Sequence, residues 1–222
     1  CGCVETNLSG RMKQYTDMAD CNMGGVVEMA LTNGKSRKSG KQISIQTGDP
    51  AQFKTFDDFF NAVKKQISYF ADVIVSGDQL LDYLSMSYRP VPCLSLTYGH
   101  CIESGKDYST GGAKYNCGGG VITVGQADIV NSIAAVKYLV FDQKKLTMEQ
   151  LCKALAANFE GYEDVQKMCL AAPKYGNDDE RADGLVGEIF TYTVDQFEKY
   201  DTKFGRMTMG MLPVSGNTPI GK

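Results

Sequence analysis

Apolar residues recur every three or four positions in much of this 222-residue chain, the spacing of one face of a helix. The longest such pattern begins after a capping sequence at Thr55 to Asp58, and its apolar members are Phe56, Phe59, Phe60, Val63, Ile67 and Phe70. It predicts a helix to about Ser87 with a break near Ser76-Gly77. Pro90 and Pro92 stop it.

Shorter helices are expected over 23–32, 100–103, 128–141, 147–158, 162–171 and 180–200. Residues 6–22 indicate a loop leading to a helix. Ile43 and Ile45 alternate with polar residues and favour a short strand or extended segment. Residues 93–96 fit a strand or a loop, and 209–214 fit a strand. Because strands, loops and helices alternate, the pattern predicts the α/β class.

Composition narrows the class of protein. The hydrophobic fraction is 43%, the charged fraction 22% and the net charge −3, so the chain suits a soluble globular protein and not a binder of nucleic acid. No apolar run approaches the length of a membrane span. With no leader sequence and eight scattered cysteines, we expect reduced thiols in a cytoplasm.

Two clusters of residues are candidates for a metal site and for a nucleotide-binding loop. His100, Cys101 and Glu103 are metal-ligand types, but no second cluster follows at ligand spacing, so we favour a structural role and expect no metal site. The glycines between 105 and 120 fit no nucleotide-binding spacing. They are expected to let backbone segments pack closely in a barrel-like interior.

The most chemically suggestive stretch is Cys1-Gly2-Cys3-Val4-Glu5. In an extended loop the side chains of Cys3 and Glu5 point the same way. A thiol can act as a nucleophile or carry a hydrogen atom, and a neighbouring carboxyl can move protons. An incidental carboxylate beside a frayed terminus is the alternative.

Four segments, in the right order, resemble glycyl radical enzymes of the pyruvate formate-lyase-like type. Gly2 to Glu5 matches the family's Gly-Cys-x-Glu loop. The others are Gly111 to Asn116, the Ser132 to Lys137 helix, and Pro173 to Asp179, which is similar to the family's Pro-Lys-Tyr-Gly-Asn-Asp turn. The resemblance covers nearly all of the chain.

The resemblance implies that residues 1–222 are a middle-to-late portion of a ten-stranded α/β barrel. Both ends look cut, so we expect an internal segment of a longer polypeptide, without the C-terminal glycyl radical domain. It implies a radical installed by an activating enzyme that uses S-adenosylmethionine and an iron–sulfur cluster, and no directly bound cofactor. The other implied partners are a small-molecule substrate, the remainder of the polypeptide and, at full length, a second copy in a homodimer.

The resemblance assigns catalytic roles to Cys3 and Glu5: the Cys3 thiyl removes hydrogen from the substrate, and Glu5 assists loss of a leaving group. Absence of adjacent cysteines, with Glu5 following, favours the eliminase branch, which comprises dehydratases, C–N lyases and C–S lyases. Among these we expect a dehydratase. Asp17 lies at the spacing where glycerol and propanediol dehydratases hold substrate hydroxyls, although a surface carboxylate is the alternative. Ser215 follows a predicted strand and is a candidate pocket residue.

Several alternatives stay open. Asp20 stands where choline-lyase-like members have an aromatic residue, and Thr6 where many dehydratases have Pro, yet segments 41–49 and 215–221 also resemble choline-lyase and hydroxyproline-dehydratase sequences. A lyase that cleaves a C–N or a C–S bond is therefore the alternative reading. An inactive fragment, or a Cys-dependent hydrolase using His100, belongs to other functional classes.

Overall fold

A computed structural model describes residues 7–13 and 17–211, with only the backbone given for Asp17 and Met18. The chain divides into two compact units. Unit 1 comprises, within the described part, residues 7–13, 17–21, 71–124 and 194–211. Unit 2 comprises residues 22–70 and 125–193.

Helices account for most of the residues in regular secondary structure. The α-helices are α1 Met23–Leu31, α2 Phe56–Tyr88, α3 Pro92–Ser95, α4 Cys101–Ser104, α5 Gln126–Val136, α6 Met148–Ala156, α7 Glu163–Ala171, α8 Glu180–Asp183 and α9 Val186–Glu198. Short 3₁₀ turns cover Pro50–Gln52 and Tyr108–Thr110, and a π-helical turn, Lys137–Asp142, follows α5.

The strands are short and form three small sheets among the described residues. They are β1 Met12–Lys13, β2 Asp17–Asn22, β3 Tyr115–Asn116, β4 Gly120–Val124, β5 Asp201–Thr202, β6 Gly205–Arg206 and β7 Thr208–Met211. Strand β4 lies between β2 and β7 and pairs with β7 in parallel. Strands β1 and β3 also pair in parallel, whereas β5 and β6 form an antiparallel hairpin.

Local chemistry explains where the helices begin. The Asn22 side chain accepts a hydrogen bond from the Gly25 amide, at 3.0 Å, and so caps α1. At the start of α2, the Asp58 carboxylate accepts from the Thr55 amide at 2.9 Å while the Thr55 hydroxyl accepts from the Asp58 amide. Thr147 and Gln150 form the same reciprocal arrangement before α6. The predicted capping boxes are confirmed.

Unit 2 has an apolar core built from four helices. Phe59 and Val63 from α2, Ile129 and Ile133 from α5, and neighbouring side chains of α1 and α9 are almost inaccessible to solvent. Helices α1 and α5 pack against each other, and α6 packs against both α7 and the Pro50–Gln52 turn. This core follows directly from the helical spacing of apolar residues in the sequence.

The structure corrects several expected elements. Helix α2 runs through Ser76-Gly77 without a break, since one glycine lowers helix stability without ending the helix. Residues 93–96 lie in and just after α3, which Pro92 begins, and not in a strand. Residues 43–45 form no strand. The expected 180–200 helix is divided after α8, where the Leu185 amide bonds to the Ala182 carbonyl in a tighter turn.

Six of the seven described strands were not expected, and β2 and β4 are the longest of them. Strand β2 occupies part of the expected 6–22 loop, and β4 directly follows the glycines at 118 and 119. The strand expected at 209–214 is present as β7 up to Met211, and its last three residues lie outside the described part. Among the described residues, no helix has the length and apolar character needed to cross a membrane.

Candidate active site

The residues assigned to catalysis and substrate binding fall mostly outside the described part of the chain. Cys3, Glu5 and Ser215 lie beyond it, and their roles stay predictions. The backbone of Asp17 opens strand β2, which neighbours the fully buried strand β4. Asp17 therefore begins the edge strand of the three-stranded sheet in unit 1, and its side chain is not described.

The glycines before β4 allow close approach in unit 1, as the sequence led us to expect. A Cβ atom on Gly119 would overlap the Asp78 carboxylate, and one on Gly118 would overlap the Arg206 carbonyl oxygen and the Thr202 hydroxyl. Helix α2 and the β5–β6 hairpin can thus come close to the backbone that enters β4. Larger residues at these two positions would force the elements apart.

Asp78 is a buried carboxyl that the sequence analysis missed. Its residue is only 3% exposed, and neither carboxylate oxygen has a hydrogen-bond partner in the described part of the chain. Desolvation, together with the nearby Asp82 charge, raises the pKa of Asp78 to about 6, although Lys13 acts in the opposite direction. At neutral pH this group can lose or hold a proton with small changes in its surroundings.

Lys13 is the cation that acts on the Asp78 and Asp82 carboxyl groups. Its Nζ lies 3.9 Å from Asp82 Oδ1 and 4.0 Å from the centre of the Phe204 ring. Burial lowers the pKa of Lys13, and the charges of Asp82 and Asp78 oppose that shift. Asp78 could have been found from the sequence, because it lies three and seven residues after Val75 and Ala71, on the buried side of α2.

The segment before the Gly-Gly-Ala-Lys-Tyr-Asn motif is held by Asp107. Its carboxylate accepts hydrogen bonds from the Val91 amide at 3.0 Å, the Ser95 hydroxyl at 2.8 Å, and both the amide and hydroxyl of Ser109. Burial alone would raise the pKa of Asp107, but these donors outweigh it and the pKa is lowered. Asp107 is therefore a structural anion that joins α3 to the Tyr108–Thr110 turn.

The motif itself forms a turn and a strand. The Asn116 side-chain amide donates to the carbonyl oxygens of Gly111 and Ala113, at 3.3 and 2.9 Å. Tyr115 and Asn116 form β3, which pairs with Met12 and Lys13. This motif consequently positions β1, the strand that carries Lys13.

The turn at Pro173 to Asp179 organises unit 2. Lys174 Nζ donates to the carbonyl oxygens of Cys169 and Ala172, at 2.7 and 2.9 Å, and so caps the end of α7. The Gly176 amide donates to Asp183 Oδ1, and Gly176 has a φ of 82°. The Tyr175 amide donates to Asn131 Oδ1 of α5. These bonds fix the approach to α8.

His100, Cys101 and Glu103 are not gathered around a common centre. Within residues 7–13 and 17–211, no three His, Cys, Asp or Glu side chains are placed to hold a metal ion. Cys101 is buried, and desolvation raises its pKa above the ordinary thiol value. A raised pKa keeps a thiol protonated and unreactive, which suits a structural residue.

Comparison with known proteins defines the class. The model of the pyruvate formate lyase-like family matches residues 1–221. The chain therefore belongs to the pyruvate formate lyase-like family, and the resemblance drawn from its motifs is confirmed.

Two curated relatives show the extent of the similarity. The chain is 39% identical, over its whole length, to trans-4-hydroxy-L-proline dehydratase of Clostridioides difficile, and covers 28% of that protein. It is 35% identical to isethionate sulfite-lyase of Bilophila wadsworthia, again over its whole length and over 27% of the relative. The chain thus spans a little more than a quarter of the length of these relatives.

Solved structures give the same result. The crystal structure of hydroxyproline dehydratase from Clostridioides difficile matches 96% of this chain with a TM-score of 0.87 and 40% identity, over 27% of the solved chain. B12-independent glycerol dehydratase from Clostridium butyricum matches 99% of this chain with a TM-score of 0.89 and 33% identity, over 28% of the solved chain. The expected fold, a portion of the glycyl radical enzyme barrel, is confirmed.

Proposed function

We propose that this chain is part of a glycyl radical eliminase that removes water from a small hydroxylated substrate. The observation that carries the proposal is the Gly-Cys-x-Glu sequence at residues 2–5. All of this chain aligns with part of a dehydratase, at 39% identity. The thiol and the carboxyl supply the two chemical functions that such a reaction needs, hydrogen-atom transfer and proton transfer.

In the proposed reaction, the thiyl form of Cys3 takes a hydrogen atom from a substrate carbon, which leaves a carbon radical and a Cys3 thiol. The neighbouring hydroxyl group then leaves as water, with the proton provided by the Glu5 carboxyl, and the hydroxyl or amine group on the radical carbon gives a proton back to the Glu5 carboxylate. The product radical takes a hydrogen atom back from Cys3 and regenerates the thiyl. Electrons and atoms balance, because the substrate loses only water.

Asp17 and Ser215 are proposed to bind the substrate. A carboxylate can accept hydrogen bonds from two substrate hydroxyls, so Asp17 would fix the orientation of the carbon that loses hydrogen. Its place at the start of β2, in the sheet that contains the buried strand β4, supports a rigidly held position. Ser215 would add a hydroxyl contact to the same substrate.

The radical itself is proposed to originate on a glycine of the polypeptide outside these 222 residues, where an S-adenosylmethionine and iron–sulfur activating enzyme would install it. That radical supplies one-electron chemistry to the Cys3 thiol. We further propose a cytoplasmic homodimer for the longer polypeptide. The family membership and the relatives' lengths support these proposals.

A second reaction is favoured by a separate observation. The 35% identity to an isethionate sulfite-lyase extends over the whole chain. The same Cys3 chemistry would then be followed by loss of sulfite through C–S cleavage, and Glu5 would have a smaller role because sulfite needs less protonation than hydroxide to leave. C–N cleavage, as in choline lyases, is the further variant of this alternative.

The test uses the natural polypeptide, whose intact mass shows whether it continues beyond Lys222. After anaerobic activation, the glycyl radical signal is recorded by electron paramagnetic resonance. Turnover is then measured with hydroxyproline, glycerol, propanediol, isethionate and choline. We expect one hydroxylated substrate to lose water.

Variants separate the assigned roles. Cys3→Ser should abolish turnover and leave the glycyl radical signal, whereas Cys93→Ser, at an exposed cysteine, should leave both unchanged. Glu5→Gln should lower kcat by about 10² or more for water loss, and Asp17→Asn should mainly raise KM.

A polypeptide that ends at Lys222 with no radical-bearing partner would leave only an inactive fragment. A His100→Ala variant that keeps full activity would exclude the alternative of a Cys-dependent hydrolase that uses His100.

A further inference from the structure

The second half of α2 carries an apolar stripe on its solvent-exposed side. Five large apolar side chains in unit 1 are between 40% and 72% exposed: Val73, Leu80, Leu81, Leu84 and Tyr88. At about 100° per residue they fall within an arc of roughly 100° around the helix axis. We call these five residues the α2 stripe.

The opposite side of the same helix is buried and partly polar. Ala71 and Val75 are almost inaccessible, and Asp78 follows them on that side at 3% exposure. The Asp82 side chain, 22% exposed, lies there beside Lys13. The helix therefore turns two carboxyls inward and five large apolar side chains outward, the reverse of what a helix on a finished protein surface shows.

The α2 stripe has neither charges nor bulk at its middle. Gly77 falls within the same arc, and a Cβ atom added there would have nothing within 4 Å. The charged residues of this half of α2 lie off the arc, where Asp72 pairs with Lys199 at 3.4 Å. An apolar partner could therefore approach closely at Gly77 without desolvating a charge.

We propose that the α2 stripe is the docking surface for an apolar segment of the same polypeptide that lies outside these 222 residues. This inference rests on the proposed function, which makes the natural polypeptide as long as the relatives. The chain covers only 27–28% of them, so most of such a protein would remain to cover exposed apolar surface. Burying five side chains of this size stabilises an interface substantially.

The test compares oxidation of individual side chains by hydroxyl radicals in the natural, unactivated polypeptide and in the 222-residue chain. Leu80, now 57% exposed, should be oxidised at least about fivefold more slowly in the natural polypeptide, because its side chain becomes buried there. Leu84 should behave in the same way. Tyr83 is the matched control, since it is also 57% exposed and lies on α2 away from the stripe.

A pair of variants provides a second readout. Leu80→Lys should lower the Tm of the natural polypeptide, whereas Tyr83→Lys should leave it nearly unchanged. Equal oxidation of Leu80 in both proteins, or equal Tm values of the two variants, would overturn the proposal. Protection in the 222-residue chain that disappears on dilution would assign the stripe to a second copy instead, and would also overturn it.

These results are independent of turnover. A natural polypeptide that protects the α2 stripe but forms no radical would contradict the proposed reaction and leave the docking surface intact. A polypeptide that turns over substrate but leaves Leu80 exposed would support the proposed reaction and contradict the docking surface.

Discussion

Units 1 and 2 bury and expose their apolar residues in opposite proportions. Among the residues whose side chains the structure describes, roughly seven in ten of the buried apolar residues belong to unit 2, and roughly seven in ten of the exposed large apolar residues belong to unit 1. Unit 2 has the composition of a self-sufficient helical core. Unit 1 has short strands, a buried carboxyl and an uncovered apolar helix face.

The difference teaches that the two units depend on different interactions. In unit 2, helical packing around Phe59 and Ile133 satisfies the hydrophobic pattern. In unit 1, the close approach at Gly119 and the buried charges of Lys13 and Asp78 are retained at a cost in stability. Such costs are typical of regions where function, and not packing, selects the residues.

The largest effect is expected from the core of unit 2. Phe59 is fully buried, so Phe59→Ala should lower the free energy of unfolding by about 3–5 kcal/mol through lost burial and a cavity. Tyr88→Ala, at a residue that is 72% exposed, should change it by no more than about 0.5 kcal/mol in the 222-residue chain. Denaturant titration measures both. Similar losses for the two variants would erase the contrast between the units.

A smaller effect is expected at the close approach in unit 1. Gly119→Ala would press a methyl group into Asp78 and should cost about 1–3 kcal/mol. Adding Asp78→Ala should recover part of that loss, which a double-mutant cycle detects as a coupling energy. Gly187→Ala is the control, because its Cβ atom meets nothing within 4 Å and should stabilise α9 by up to about 1 kcal/mol. Additive effects at 78 and 119 would show that the two do not touch.

The most condition-dependent effect concerns pH. The pKa of Asp78 is about 6 when folded against an ordinary 3.8, so the folded state binds the proton more tightly. The stability contributed by this group is present below pH 4 and is lost as the pH rises to about 6.

Asp78→Asn should therefore be more stable than the natural sequence by roughly 1–3 kcal/mol at pH 7, and the difference should shrink towards pH 4. Unfolding titrations between these two pH values measure it. Asp57→Asn, an exposed change on the same helix, provides the comparison. A difference for Asp78→Asn that does not vary with pH would contradict the burial of its charge.

Helices were easier to predict than strands, for physical reasons. Helix α2 and the caps at Thr55 and Thr147 follow from residues only three or four apart in sequence. Strand β4 is buried on both sides, so it has no alternation of polar and apolar residues to mark it. Strand β2 is rich in polar residues, and its pairing with β4 depends on residues about 100 positions away.

The candidate site was predictable only where local sequence carries chemistry. Cys3 and Glu5 are visible because they are two residues apart, and their assignment stays a prediction. Asp78, Asp82 and Lys13 come together through the pairing of β1 and the packing of α2, which no short motif encodes. The sequence could have indicated that Asp78 is buried, because its spacing from Ala71 and Val75 places it on the same side of the helix.

The continuity of α2 through Gly77 limits how this region can change in evolution. One residue inserted between Val75 and Asp78 would rotate everything after it by about 100°. Asp78 would leave its place beside Gly119, and the stripe after the insertion would no longer be in line with Val73. This helix should therefore accept insertions and deletions only at its ends.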